Sequence, residues 1–297
     1  MKEFWQIDAF TTQPFCGNPA AVVFDCDDMS TEWMQAVSRE MNLSETVFFV
    51  RSTKADADYR VRFFTPRHEL PFAGHPTIAA AHAFAERYRG ETGTEMGMIR
   101  QQCEAGIIPI EVRRECDARV YVMQQRSPEY RNLTKPAEHY ARILGCDAGA
   151  LKSGPVQVVS TGVPWLIVQL TCEQALAGLA PNFVEIEQEC RKEQAVGVTV
   201  FALNSTEASW TATVRTFAPG EGVMEDPVCG SGNGAVGAYL ASNAFPDLTN
   251  FRYEAFQGRQ VNRPGRVFVQ CTRGNEGEVR VHVGGAAIKV LEGRVLT

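Results

Sequence analysis

Short apolar runs, several of them alternating with polar positions, are punctuated along the chain by Gly, Pro and Asn, a pattern of many strands with a few helices between them. Residues 5–10 and 20–24 read as strands on either side of a turn marked by Pro14, Gly17 and Pro19, with Asn18 in the connection. Ser30 or Thr31 caps a helix whose apolar positions Trp33, Met34, Val37 and Met41 keep helical spacing, and Asn42 marks its end. Glu45 leads Thr46-Val47-Phe48-Phe49-Val50, a run too apolar for anything but a buried strand. Residues 59–64 alternate as a strand, and 67–71 form a loop towards Gly74, His75 and an alanine-rich helix over 78–85. Two alternating runs in 109–124 turn at Arg114-Glu115-Cys116-Asp117 as a hairpin, and the polar stretch 125–135 reads as a linker. Thr134 and Pro136 then open a helix that Gly145 stops. Strands at 156–160 and 164–170 lead to a helix over 183–193 with a capping box from Asn182 and Glu185. A strand over 210–217 precedes the helix 235–240, and strands at 266–271, 278–283 and 286–295 end the pattern.

The pattern occurs twice. Arg62-Phe63-Phe64-Thr65-Pro66 runs in step with Arg215-Thr216-Phe217-Ala218-Pro219, and at the same offset Ser44-Glu45-Thr46-Val47-Phe48 meets Gly197-Val198-Thr199-Val200-Phe201. After an insertion in the second copy, Ala73-Gly74-His75-Pro76-Thr77 meets Cys229-Gly230-Ser231-Gly232-Asn233, each opening an alanine-rich helix. Gly17-Asn18-Pro19-Ala20 is echoed more loosely by Gly162-Val163-Pro164-Trp165. A period near half the chain is too long for a solenoid, so the expectation is an α/β fold of two pseudo-symmetric lobes.

Composition sets the bounds of that reading. A chain of 297 residues, 44% hydrophobic, exceeds the size at which one core usually keeps growing, so two domains are expected: 1–126, completed by the final strand 286–297, and 127–285. A net charge of −6 offers no basic stripe for nucleic acid, and no basic amphipathic segment or long apolar run suggests a membrane. The partner expected is a small molecule. The N-terminal residues run directly into a strand, without the apolar core of a signal peptide, and the nine cysteines contain no Cys-x-x-Cys pair. Both features point to a cytoplasmic protein with reduced thiols.

The chemistry gathers at the two helix starts. Asp226-Pro227-Val228-Cys229-Gly230-Ser231-Gly232-Asn233-Gly234 clears a helix mouth of bulk, and exposed N–H groups there, with the positive end of the dipole behind them, suit an anion. An acid, Asp226, and a thiol, Cys229, flank the mouth. In the first copy His75 begins the helix, where the dipole favours the neutral imidazole, a state suited to hydrogen bonding or proton exchange with a carbonyl. Glu45 leading a buried strand is an edge residue or a desolvated acid. Because Val198 takes its place in the repeat as read from sequence, an apolar residue suits the fold there, and a carboxylate is explained by function. Glu45 is therefore the first catalytic candidate. His68, Glu69 and His75 lack the spacing of a helical zinc motif, so no metal is expected.

Asp8-Ala9-Phe10-Thr11, Pro14-Phe15-x-Gly17-Asn18-Pro19-Ala20, Ser44-Glu45-Thr46, Phe64-Thr65-Pro66, Gly74-His75-Pro76-Thr77 and Glu225-Asp226-Pro227-x-x-Gly230-Ser231 together resemble the PhzF-like, phenazine biosynthesis-like proteins. That family is similar in fold to diaminopimelate epimerase: two α/β lobes, each a curved mixed sheet around a central helix, with the active site in the cleft between the two helix N-termini. The resemblance implies a cofactor-independent isomerase that moves a proton on a small carboxylic acid. It gives Glu45 the acid/base role, with His75 and Asp226 orienting or relaying the proton and Asn18, Gly74, Gly230 and Ser231 binding substrate. A homodimer is implied as well. The cysteine-dependent racemases of the superfamily place a thiol before the glycine at both mouths; here Ala73 holds the first place and Cys229 the second, so a two-thiol mechanism is absent. A thiol at a helix start has its pKa lowered, which keeps Cys229 a candidate. The alternatives are a single-thiol racemase or epimerase, a hydrolase with Cys229 as nucleophile and His75 as base, and a non-catalytic small-molecule-binding protein.

Overall fold

The computed structural model describes residues 1–89, 97–115, 118–205 and 210–297. In chain order the elements are β1 (Lys2–Ala9), β2 (Asn18–Val23), α1 (Thr31–Met41), β3 (Thr46–Val50), β4 (Tyr59–Phe64), β5 (Glu69–Leu70), α2 (Gly74–Phe84), β6 (Gly97–Cys103), β7 (Gly106–Glu115) and β8 (Ala118–Gln124). There follow β9 (Glu129–Asn132), α3 (Ala137–Leu144), β10 (Gln157–Ser160), β11 (Pro164–Leu170), α4 (Glu173–Ala177), α5 (Phe183–Lys192), β12 (Gly197–Ser205), β13 (Trp210–Ala218) and β14 (Val223–Asp226). The chain ends with α6 (Gly230–Asn243), β15 (Asn250–Gln257), β16 (Gly265–Arg273), β17 (Val279–Gly285) and β18 (Ala287–Val295). Two compact units result, Met1–Met123 with Gly284–Thr297, and Gln124–Val283.

In the first unit the strands run β18-β1-β2-β3-β4-β6-β7-β8, with β5 added to β4; the β2–β3 and β4–β6 ladders are parallel and the others antiparallel. Helix α2 packs on β1, β2, β3, β4 and β18, and Ala79, Ala80, Ala81 and Ala83 are fully buried. Small side chains are what let a sheet curve closely about a helix on several sides. Helix α1 covers another face with Met34 and Val37 against Phe48 and Phe64. Its ends are those read from the sequence: Ser30 Oγ accepts the Trp33 N–H at 3.2 Å, and Asn42 closes the helix in the left-handed region at φ 50°.

The second unit repeats the plan as β9-β10-β11-β12-β13-β15-β16, with β14 added to β13, and here the parallel ladders are β11–β12 and β13–β15. Helix α6 is its central helix, with Val236, Ala238, Tyr239 and Leu240 buried. Helices α3, α4 and α5 cover the other face, where Tyr140, Leu144, Leu176 and Ile186 meet Val198, Val200 and Phe217.

Three local readings change. The stretch read as a linker contains β9, which is antiparallel to β10. The loop before α2 contains β5, because Glu69 and Leu70 pair with Phe64 and Phe63. At α5 the Asn182 side chain accepts the Glu185 N–H at 3.2 Å as expected, but the Asn182 N–H goes to the Ile143 carbonyl at 2.9 Å, so the reciprocal half of the box is replaced by a tertiary bond. The hairpin β7–β8 forms with Glu115 opposite Ala118; its turn residues Cys116 and Asp117 lie outside the described residues.

Candidate active site

In the first unit the end of β1, the starts of β2 and β3, the end of β4 and the start of α2 lie at one edge of the sheet, as the ladders Ala9↔Asn18, Ala21↔Thr46 and Thr46↔Phe64 require. Asn18 is buried at the start of β2. The connection before it is held by Asp8, whose buried carboxylate accepts the Phe15 N–H at 2.8 Å. Glu45 precedes β3, and its Oε2 is buried, lies 3.3 Å from His75 Nε2 and takes no hydrogen bond. Ser44 Oγ is 3.4 Å from the same imidazole nitrogen. His75 is itself buried in the first turn of α2, and Ala73 at the N-cap offers no side-chain acceptor to the Gly74 and His75 end of that helix. Glu69 is engaged by Arg62, Nε to Oε1 and Nη2 to Oε2 both at 2.7 Å, which ties β5 to β4 just before the helix mouth. Among the described residues no cluster of three or more His, Cys, Asp or Glu is arranged to hold a metal.

In the second unit Asp226 ends β14 and its Oδ1 accepts the Val228 N–H at 3.1 Å. Cys229 is the N-cap of α6, its Sγ accepting the Gly232 N–H at 3.3 Å with Ser231 Oγ at 3.6 Å. Ser231 Oγ also accepts the indole N–H of Trp165 at 3.0 Å, a contact absent from the sequence reading. Gln257 braces the mouth from β15: its Oε1 accepts the Cys229 N–H at 3.2 Å and its Nε2 donates to the Asp226 carbonyl at 2.9 Å. The lowered thiol pKa expected of a helix start is reversed. Burial pushes the Cys229 thiol well up, and the Asp226 charge pushes the same way. Desolvation of a thiol that is 5% exposed outweighs the dipole.

Superimposing the two repeats through their ladders corrects one equivalence. Ala21 pairs with Thr46 and Phe64 with Thr46 in the first unit; in the second, Leu166 and Phe217, their counterparts in the repeat, both pair with Val198. Val198 therefore matches Thr46, and the counterpart of Glu45 is Gly197. Side-chain facing agrees, since Phe48 and Val200 each point to the covering helices of their unit. The shared Thr-Val-Phe tripeptide had drawn the alignment one residue out of register, enough to exchange the faces of a strand. At Gly197 there is no room for a side chain: a Cβ would lie 2.3 Å from the Phe217 carbonyl and 2.7 Å from Trp165 Cζ3. Trp165, the counterpart of Ala20, fills the volume that Glu45 occupies in the first copy. Ser231 likewise stands where His75 does. One scaffold thus carries a Glu45–His75 pair in one unit and a Trp165–Ser231 pair in the other. The supporting fork is kept in both, Arg215 binding Glu225 at 2.9 and 2.8 Å as Arg62 binds Glu69.

The phenazine biosynthesis-like protein model, PhzC-PhzF, matches residues 7–293. The chain is 34% identical over 296 residues to trans-2,3-dihydro-3-hydroxyanthranilate isomerase of Pseudomonas aeruginosa, with 99% of each chain covered. It is 34% identical over 297 residues to an uncharacterized isomerase of Clostridium acetobutylicum, covering 98% of this chain and 97% of the relative. A PhzF-family phenazine biosynthesis protein of Bacillus anthracis has the same fold at TM-score 0.90 and 29% identity, over 100% of this chain and 99% of its own. A hydroxyproline epimerase of Agrobacterium vitis, 11% identical with a TM-score of 0.62 over 98% of this chain and 91% of its own, is similar in fold alone. The full-length match, the duplicated architecture and the isomerases among its relatives place the chain in the phenazine biosynthesis-like family, as a PhzF-like isomerase.

Proposed function

We propose that Glu45 carries the proton in a cofactor-independent isomerisation of a small carboxylate-bearing substrate. The observation that carries this reading is the buried Glu45 Oε2, which takes no hydrogen bond and sits 3.3 Å from His75 Nε2 at an uncapped helix mouth. Burying a carboxylate oxygen without a donor destabilises a fold, and the repeat manages without one at Gly197. In the step proposed, the carboxylate takes a proton from carbon beside a conjugated system. The C–H electron pair enters that system and its charge reaches the substrate's acid oxygens. The proton then returns to a different carbon, from Glu45 or through His75. Atoms are conserved and no oxidant is consumed. Asn18 and the N–H groups at Gly74 bind substrate on this reading, and Asp226, Gly230 and Ser231 do so at the mouth of α6, where backbone donors stabilise developing negative charge.

The substrate class proposed is supported by the relative named trans-2,3-dihydro-3-hydroxyanthranilate isomerase, since that compound is a cyclic, unsaturated amino acid in which such a shift is feasible. A thiol-based racemase or a Cys229 hydrolase gains no support from a thiol that burial holds protonated. The free cysteines, Cys26, Cys190 and Cys271 among them, suit the reducing cytoplasm, and light scattering tests the homodimer. The decisive experiment incubates the protein in heavy water with trans-2,3-dihydro-3-hydroxyanthranilate and with a panel of small carboxylic acids, following deuterium at carbon. Glu45→Gln is expected to lower incorporation roughly 100- to 10,000-fold with the fold intact. A variant within a few-fold of the parent would overturn the role of Glu45.

A further inference from the structure

In the second unit the indole of Trp165 has one chemical property that the Glu45 carboxylate in the corresponding volume lacks: it is a donor only. Its Nε1–H donates to Ser231 Oγ at 3.0 Å, which occupies an acceptor lone pair of the hydroxyl and turns the hydroxyl proton away from the indole. The other neighbour is Cys229 Sγ at 3.6 Å, a contact in which either atom can donate; the sulfur is a weak acceptor that also takes the Gly232 N–H at 3.3 Å, so a ligand oxygen is the stronger acceptor for the hydroxyl proton. Trp165 cannot swing aside. It is 4% exposed, and its Cζ3 lies 2.7 Å from where a Cβ on Gly197 would stand, so the indole has been admitted by the loss of a side chain there. Ser231 itself is only partly buried, at the first turn of α6, beside backbone donors of the helix start.

We propose that Trp165 is a positioning residue that fixes Ser231 as a hydrogen-bond donor to a carboxylate oxygen of the ligand. The proposal deepens the assignment of Ser231 as a substrate-binding residue and rests on that assignment, not on the proton-carrying role of Glu45. A Ser hydroxyl is ordinarily ambivalent, free to donate or accept by rotation. Held by a donor-only partner it discriminates in favour of an anion, because a neutral group with its own N–H or O–H would meet another donor. The first unit solves the corresponding place differently, with an imidazole facing a carboxylate, and so the two copies divide donor work from proton work.

The test is calorimetric titration of the full-length protein with anthranilate as the carboxylate probe and anthranilamide as its uncharged counterpart. Ser231→Ala and Trp165→Phe should each weaken anthranilate about tenfold, the scale of a hydrogen bond to a charged group, and leave anthranilamide nearly unaffected. The double variant should bind no more weakly than Ser231→Ala alone, since Trp165 acts through that hydroxyl. Benzothienylalanine at position 165, which keeps the indole's shape and replaces only its N–H, should reproduce Trp165→Phe and so separates the donor from any packing defect. The titrations read binding without turnover, so their outcome is distinct from failure of the proton-carrier reading, which the heavy-water experiment on Glu45→Gln tests. Parent-like affinity in the Trp165 variants, additive losses in the double variant, equal losses for both probes, or no anthranilate binding by the parent would each overturn the proposal.

Discussion

Glu45 and Gly197 occupy one place in two copies of a fold, and substitutions there should move stability in opposite directions. Gly197→Ala would put a Cβ 2.3 Å from the Phe217 carbonyl, 2.7 Å from Trp165 Cζ3 and 3.0 Å from Ala218 Cα. Two of these atoms are backbone of β13, paired to β12 through Phe217↔Val198, and the third belongs to an indole tied to Ser231. None can give way as a flexible side-chain end would. Overpacking of this kind costs about 1–3 kcal/mol, here at the upper end, and the loss of glycine's unfolded-state freedom returns about 0.4–1 kcal/mol. The net is a destabilisation of about 2 kcal/mol, or a fall of roughly 3 °C in Tm for a chain of this length. Glu45→Gln removes a partly buried carboxylate whose Oε2 takes no hydrogen bond and has His75 Nε2, 3.3 Å away, as its ion-pair partner, and should leave Tm unchanged or raise it by an amount equivalent to up to about 1 kcal/mol. Scanning calorimetry and urea unfolding on the two variants and the parent provide the measurement. A Gly197→Ala variant within about 0.5 kcal/mol of the parent would refute the absence of side-chain room at Gly197 on which the contrast with Glu45 rests.

The two Arg–Glu forks should differ in weight: Arg215→Met strands Glu225 beside a fork that is 7% and 11% exposed and should lose about 3–5 kcal/mol, while Arg62→Met, at 23% and 28%, should lose about 1 kcal/mol, both read by urea unfolding. Cys229→Ser keeps an N-cap acceptor and should retain most activity; because thiolate forms only as pH rises past the elevated pKa, iodoacetamide at pH about 8 should alkylate the partly exposed Cys16 and Cys172 well before Cys229, as mass spectrometry of the digested protein will show. Glu86 has its carboxyl pulled from 4.5 to about 2, chiefly by the hydrogen bond from His82, so it stabilises the fold above its unfolded pKa and loses that contribution as pH falls towards about 2. Acid unfolding midpoints should therefore shift upward in Glu86→Gln, and an unchanged acid limb would contradict the pairing.

What could be read beforehand was whatever local chemistry decides. The α1 caps at Ser30 and Asn42 and the buried strand after Glu45 each depend on a few neighbouring residues and stand where the pattern put them, whereas α2 and α6 begin at Gly74 and Gly230, ahead of the stretches 78–85 and 235–240 read as helix, because the small residues of each mouth are themselves the first helical turn. What escaped was set across the sheet. Strands β5 and β9 are short or polar, and pairing with β4 and β10 makes them strands, a partner no local pattern displays. The equivalence of Glu69 and Glu225 was hidden by the short helical turn Pro219–Glu221 inserted before β14. Register was misread at β12 because a shared tripeptide is a stronger signal along the chain than the ladders that fix which residue faces which. The Trp165–Ser231 bond joins residues too far apart in sequence for any spacing rule to find.

The parts that agree between the copies and the parts that differ have separate physical tasks. The ladder senses, the central helix and the Arg–Glu fork over an aromatic ring, Phe64 in one and Phe217 in the other at 5.1 and 5.0 Å, recur because they hold a helix N-terminus at a sheet edge. Holding it there needs the same packing whatever the mouth then does. The residues that project from the mouth have no such constraint, and there the copies part: carboxylate against no side chain, imidazole against hydroxyl, alanine against tryptophan. Inversion of a stereocentre calls for matched proton carriers, one to take and one to give, and a symmetric pair of mouths would suit it. A chain that keeps a Glu–His pair in one copy and an indole–hydroxyl pair in the other lacks that symmetry. Incubating the protein with D- and L-amino-acid panels should therefore give no racemisation by chiral chromatography, and racemisation abolished by alkylating Cys229 would return the chemistry to the thiol.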